Sequence, residues 1–129
     1  MKKLEKDSVI GISALLVHAA SIDEKYSEQE KNLIKEFIKS YLKGIDTNEI
    51  LKEAENIERN SNQLLNYTNI IKKNSLDVKK DIIEHLWKVI ISDNSVDQYE
   101  SNLMRRICGL IYFPDKESAE IKLKLLNSR

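Results

Sequence analysis

Along most of this chain apolar residues recur every three or four positions, the period of a helix with one buried face. Two stretches are instead apolar around nearly the whole circumference. These are residues 9–20, interrupted by Ser13 and His18, and residues 82–91, interrupted by Glu84, His85 and Lys88. A helix without a continuous polar face is one surrounded by others, so helices over about 4–21 and 76–92 are predicted to be central and paired. Amphipathic patterns fill the remainder. Residues 28–43 carry Leu33, Ile34, Phe37, Ile38, Tyr41 and Leu42 on one stripe, with Gly44 as a left-handed terminator. Asp46-Thr47-Asn48-Glu49 reads as a capping box for a third, surface helix whose buried stripe is Ile50, Leu51, Ala54 and Ile57. A short fourth helix carries Leu64, Leu65, Thr68, Ile70 and Ile71 and ends at Lys72-Lys73, and Ser75 opens the fifth. The sixth, about 98–112, buries Leu103, Met104, Ile107, Cys108, Leu110 and Ile111. A last helix begins at Pro114 or Asp115 with Ala119, Leu123 and Leu126 at helical spacing. Seven helices, three glycines, one proline and no linker predict an all-α single domain over residues 1–129.

The pattern also repeats. A shift of 70 residues lays the first and fifth helices, and the second and sixth, over one another, with identities Ile12/Ile82, Leu16/Leu86, Asp23/Asp93, Glu30/Glu100, Asn32/Asn102 and Leu33/Leu103. These fall on core positions and on the elbow between two helices. The expected architecture is two pseudo-symmetric helical hairpins around the two central apolar helices, with the third and fourth helices connecting them.

Both elbows fit Asp-x-x-(apolar)-(Ser/Asp)-x-x-Glu, at residues 23–30 and 93–100. Four carboxylates brought together favour a hard divalent cation, because oxygen ligands suit Ca²⁺, Mg²⁺ or Mn²⁺ and unneutralised acids repel one another. Asp23, Glu30, Asp93 and Glu100 are the candidate metal ligands. A second reading needs no metal. Ser27 to Glu30 and Asp97 to Glu100 both have capping-box spacing, and Asp23 and Asp93 are suited to accepting amide hydrogens two residues ahead. The spacing is not that of an EF-hand, because Ile34 or Met104 stands where the twelfth-position Glu is required. Neither Glu-x-x-His pairs, HExxH, CxxC, a P-loop nor GxSxG occurs, so no catalytic motif is present. His18 and His85 do not align under the repeat and read as helix residues; Trp87 reads as a core anchor.

Charge narrows the partners. Twenty-one basic and twenty-one acidic side chains cancel, which leaves no global field to gather nucleic acid or an anionic membrane. The apolar stretch at 9–20 is too short to span a bilayer, and charges at residues 5–7 fall where a signal peptide needs an apolar core. The single cysteine, Cys108, lies in an apolar helical pattern and suits a reducing compartment, so a cytoplasmic protein is expected.

Residues 15–23 through Glu30, and Leu86-Trp87-Lys88-Val89 through Glu100, resemble the TerB-like domains, named from tellurite resistance and related to the N-terminal domain of the co-chaperone DjlA. The second copy is the closer match, and the likeness covers about residues 9–127. Where the family has Gly after the elbow Asp, this chain has Glu24 and Asn94. The resemblance implies a compact all-α domain, elbow acids that hold divalent cations and a stress or tellurite-resistance-like role, without a settled activity. Taken together, a non-enzymatic protein-interaction domain tuned by a cation is expected, with an unknown protein partner, no nucleic acid and no membrane insertion. A metal-free structural interaction module is the alternative, and a metal-assisted hydrolase on the same acids is a third reading.

Overall fold

A computed structural model describes residues 4–21, 26–60, 64–92 and 98–127, and all of its described secondary structure is helical. Seven helices run α1 (Lys6–Ser21), α2 (Glu28–Tyr41), α3 (Thr47–Asn60), α4 (Leu64–Lys72), α5 (Leu76–Ile91), α6 (Gln98–Ile111) and α7 (Asp115–Asn127).

The two helices without a polar face are the centre of the bundle. From Val9 to Val17 every residue of α1 is buried, and so are Ala19 and Ala20. Burial on all sides follows from its neighbours, because α1 packs against α2, α3, α4 and α5. Helix α5 buries Ile82, Ile83, Leu86, Trp87, Val89, Ile90 and Ile91, and it meets α1, α2, α4 and α7. Each fully buried Leu or Ile in this pair contributes about 1.5–3 kcal/mol relative to exposure, so the pair is the principal source of stability. At Gly11 the terminal carbon of Ile70 occupies the space a Cβ would take, which lets α4 lie close against α1. Any larger residue there would push Ile70 aside.

The repeat is longer than a pair of hairpins. Helix α3 packs on α1 and α2, and α7 packs on α5 and α6. Each repeat therefore holds three helices, and α3 is the counterpart of α7 rather than part of the connection. Only α4 stands outside the repeat, seated mainly on α1 and α6. The 70-residue shift misses this because the turns differ in length and α3 and α7 share almost no sequence.

Local chemistry sets the ends of the elements. Helix α2 stops at Tyr41 with extended backbone at Leu42, and Gly44 takes the left-handed conformation (φ 75°) in the turn that follows. Asp46 accepts the Asn48 amide at 2.9 Å at the start of α3, and Ser75 accepts the Val78 amide at 3.4 Å at the start of α5. Helix α6 ends with Tyr112 at φ 60° and the Phe113 amide bonded to the Cys108 carbonyl at 2.9 Å, a Schellman closure with tyrosine where glycine is usual.

Two expected stripes are out of register. Ile57 is 40 % exposed, so the face of α3 narrows to Ile50, Leu51 and Ala54. In α7 Leu123 is 57 % exposed and Ala119 is exposed, while Ser118 and Ile121 are buried. A serine on the buried stripe hides that register from a hydrophobic count. Its hydroxyl belongs there because it accepts the Trp87 indole N–H at 2.9 Å. Tyr67, unmarked by the stripe assigned to α4, is also buried.

Candidate functional site

The first elbow joins α1 to α2. Asp23 lies outside the described residues, as do Asp93 and Asp97 of the second elbow. Glu100 lies in the first turn of α6, with its side chain outside the described set. Glu30 is therefore the one candidate ligand whose surroundings are described. It is 4 % exposed and closes a complete capping box. Its Oε1 accepts the Ser27 amide at 2.7 Å and the Ser27 hydroxyl at 3.0 Å, and its own amide donates to Ser27 Oγ at 3.2 Å. The capping chemistry read from the sequence at Ser27 and Glu30 is present. Among the described residues no group of three or more His, Cys, Asp or Glu side chains is arranged to hold a metal ion.

Beside this elbow α1, α2 and α3 enclose a polar cleft of about 310 Å³, whose lining includes Val17, Tyr26, Lys31, Glu55, Glu58 and Arg59. The Tyr26 hydroxyl donates to Glu55 at 2.7 Å, His18 Nδ1 stands 3.4 Å from Glu58, and the Lys31 ammonium lies 5.1 Å from the centre of the Tyr26 ring. Burial, the hydrogen bond to Glu55 and the nearby carboxylates raise the Tyr26 phenol far above its ordinary range, so it is a donor at neutral pH. Glu55 and Glu58 were not among the residues singled out from the sequence. Their signal is the i, i+3 spacing on the edge of the α3 stripe next to Ala54, which turns both carboxylates toward α1.

The second repeat has a cleft in the corresponding place. About 300 Å³ is enclosed by α5, α6 and α7, with Trp87, Ser101, Arg105, Asp115, Ser118 and Lys122 in its lining. Trp87 and Ser101 stand 70 residues after Val17 and Lys31 of the first cleft. Trp87 is 4 % exposed, in agreement with its reading as a core anchor, and it lines the cleft. The Lys122 ammonium lies 5.2 Å from its centre. Behind it, burial raises the Cys108 thiol while the hydrogen bond with Ser118 opposes that rise, which leaves a neutral, enclosed thiol.

The histidines are structural in their described contacts. The backbone carbonyl of Asp81 can only accept, so His85 Nδ1, 2.9 Å away, carries the proton. His85 also meets the Phe37 ring edge-on at 5.2 Å, and Tyr41 donates to the Asp81 carboxylate at 2.6 Å, tying α2 to α5.

The fold and site together define a duplicated all-helical domain with a cleft among the three helices of each repeat. The chain belongs to the TerB family: the family described as "Tellurite resistance protein TerB" matches residues 10–123, which is nearly its whole length. Comparison with curated proteins and with solved structures returned no match. No described helix is long and apolar enough to cross a membrane.

Proposed function

We propose that this TerB-family domain is a non-catalytic module that binds a protein partner in the cytoplasm, tuned by Ca²⁺, Mg²⁺ or Mn²⁺ at its paired acidic elbows. The observation that supports it is the duplicated Asp-x6-Glu spacing at Asp23/Glu30 and Asp93/Glu100 in a chain of this family. Glu30 already serves its own helix through Oε1, which makes Asp23 and Asp93 the sharper test of cation binding. Asn at both positions keeps the acceptor that a turn needs and removes the charge that a hard cation needs. Wild-type protein is expected to melt at a higher temperature as millimolar Ca²⁺, Mg²⁺ or Mn²⁺ is added. Asp23→Asn/Asp93→Asn should abolish that shift with unchanged helical circular dichroism. A wild-type melt indifferent to all three cations rules out the cation part of the reading.

The capping box favours a second reading, an interaction module with metal-free elbows. Glu30→Gln separates the two, because glutamine preserves the oxygen that accepts from Ser27 but is a poorer ligand. Retained stability with a weakened cation response supports cation binding, and retained stability with no response in either protein supports the metal-free module.

A further inference from the structure

The two clefts descend from one place in the repeat, and their chemistry has diverged. In the first, both carboxylates of α3 are engaged within the protein, Glu55 by the Tyr26 hydroxyl and Glu58 by His18. The first cleft sets Lys31 and Arg59 against those two acids, whereas the described lining of the second sets Arg105 of α6 and Lys122 of α7 against Asp115. The described lining residues thus carry a net positive charge in a chain whose own net charge is zero. Arg105 is exposed and lines the cleft, and its guanidinium is a fork of N–H donors suited to tetrahedral oxyanions. Ser101 also lines the cleft, and the Trp87 ring supplies an apolar wall. A volume of about 300 Å³ is at the lower end of the range for small-molecule pockets and exceeds what a bare inorganic anion fills.

We propose that the cleft between α5, α6 and α7 binds a phosphate monoester, with Arg105 and Lys122 on the phosphoryl oxygens, Ser101 donating a hydroxyl, and the organic part against Trp87. The proposal does not depend on the cation reading. A phosphate monoester could be a free small molecule or a phosphorylated side chain of a partner, and both present the same group.

Trp87 is the only tryptophan in the chain, so tryptophan fluorescence reports on the wall of this cleft and not on the first. The full-length protein is titrated with inorganic phosphate, free phosphoserine and a short phosphoserine peptide, against sodium chloride at matched ionic strength. A saturable change with phosphoserine and the peptide, weaker with inorganic phosphate and absent with chloride, is the expected result. Arg105→Gln, at an exposed position, should weaken binding by roughly tenfold or more. Lys31→Gln, in the first cleft, should leave it unchanged. Much tighter binding of the peptide than of phosphoserine assigns the site to a modified partner, and equal binding assigns it to a free monoester. The absence of saturation with every phosphate, a response matched by chloride, or undiminished binding by Arg105→Gln overturns the proposal.

Discussion

The repeats α1–α3 and α5–α7 share one plan, but they use their polar groups in opposite ways. In the first, polar atoms in and around the cleft satisfy one another: Tyr26 with Glu55, His18 with Glu58, Ser27 with Glu30. In the second, a polar bond is drawn back into the core, where Trp87 donates to Ser118, and Arg105, Asp115 and Lys122 line the cleft. The small Val17 of the first copy becomes the large Trp87 of the second, and an indole N–H that enters a core must take an acceptor with it. Ser118 is that acceptor. Duplication thus produces one cleft whose carboxylates are engaged within the protein and one lined by Arg105 and Lys122 beside an indole.

The largest expected effect separates the two anchors. Trp87→Ala removes a buried aromatic side chain and should cost about 3–5 kcal/mol, whereas Val17→Ala should cost about 1–2 kcal/mol. Urea denaturation of both variants checks the difference, and equal losses would mean that the two copies are anchored alike. Next, Ser118→Ala strands the Trp87 N–H in a buried place and should cost about 1–3 kcal/mol. Tyr26→Phe, at a half-buried position where water can reach Glu55, should cost less, about 0.5–1.5 kcal/mol. The turns between the second and third helices of each repeat supply a smaller contrast. Gly44 and Tyr112 both sit at positive φ, and no atom lies within 4 Å of a Cβ built on Gly44. Gly44→Ala should therefore lose about 1 kcal/mol through backbone strain alone. Tyr112→Gly should be more stable than Tyr112→Ala by about the same amount, because both variants lose the contact in which Lys72 lies 4.9 Å from the Tyr112 ring and only glycine relieves the strain.

The smallest effect within practical reach is alkaline. Tyr26 and Tyr41 are held protonated, chiefly by burial and then by hydrogen bonds to Glu55 and Asp81, so their folded values stand above the ordinary value of 10.0. A group raised on folding contributes its full stability below the unfolded value and loses it as pH rises beyond that value toward the folded one. Unfolding free energy should accordingly fall above about pH 10. The fall should shrink in Tyr26→Phe/Tyr41→Phe, which denaturation at two alkaline pH values measures.

Fold class, the seven helices and the central position of α1 and α5 were legible in the sequence because burial on all sides leaves an unbroken apolar run. The Ser27 cap was legible for a different reason, since a capping box is local and its partners are three residues apart. What escaped is long-range. The equivalence of α3 and α7 is a matter of packing, with almost no shared residues to reveal it. The register of α7 turned on Ser118, a polar side chain buried for a partner 31 residues away. Glu55 and Glu58 read as solvated charges on a surface helix until α1 is placed beside them. Asp23 and Asp93 remain readings of the sequence, and Glu30 is now tied to the helix it begins.

A ¹H–¹⁵N correlation spectrum recorded during a phosphoserine titration tests most directly whether the two clefts accept different chemistry. The single Trp87 indole resonance and the amides around Arg105 and Ser118 should move saturably while those of Tyr26, Glu55 and Glu58 stay in place. Equal movement in both clefts, or movement in neither, would contradict the account.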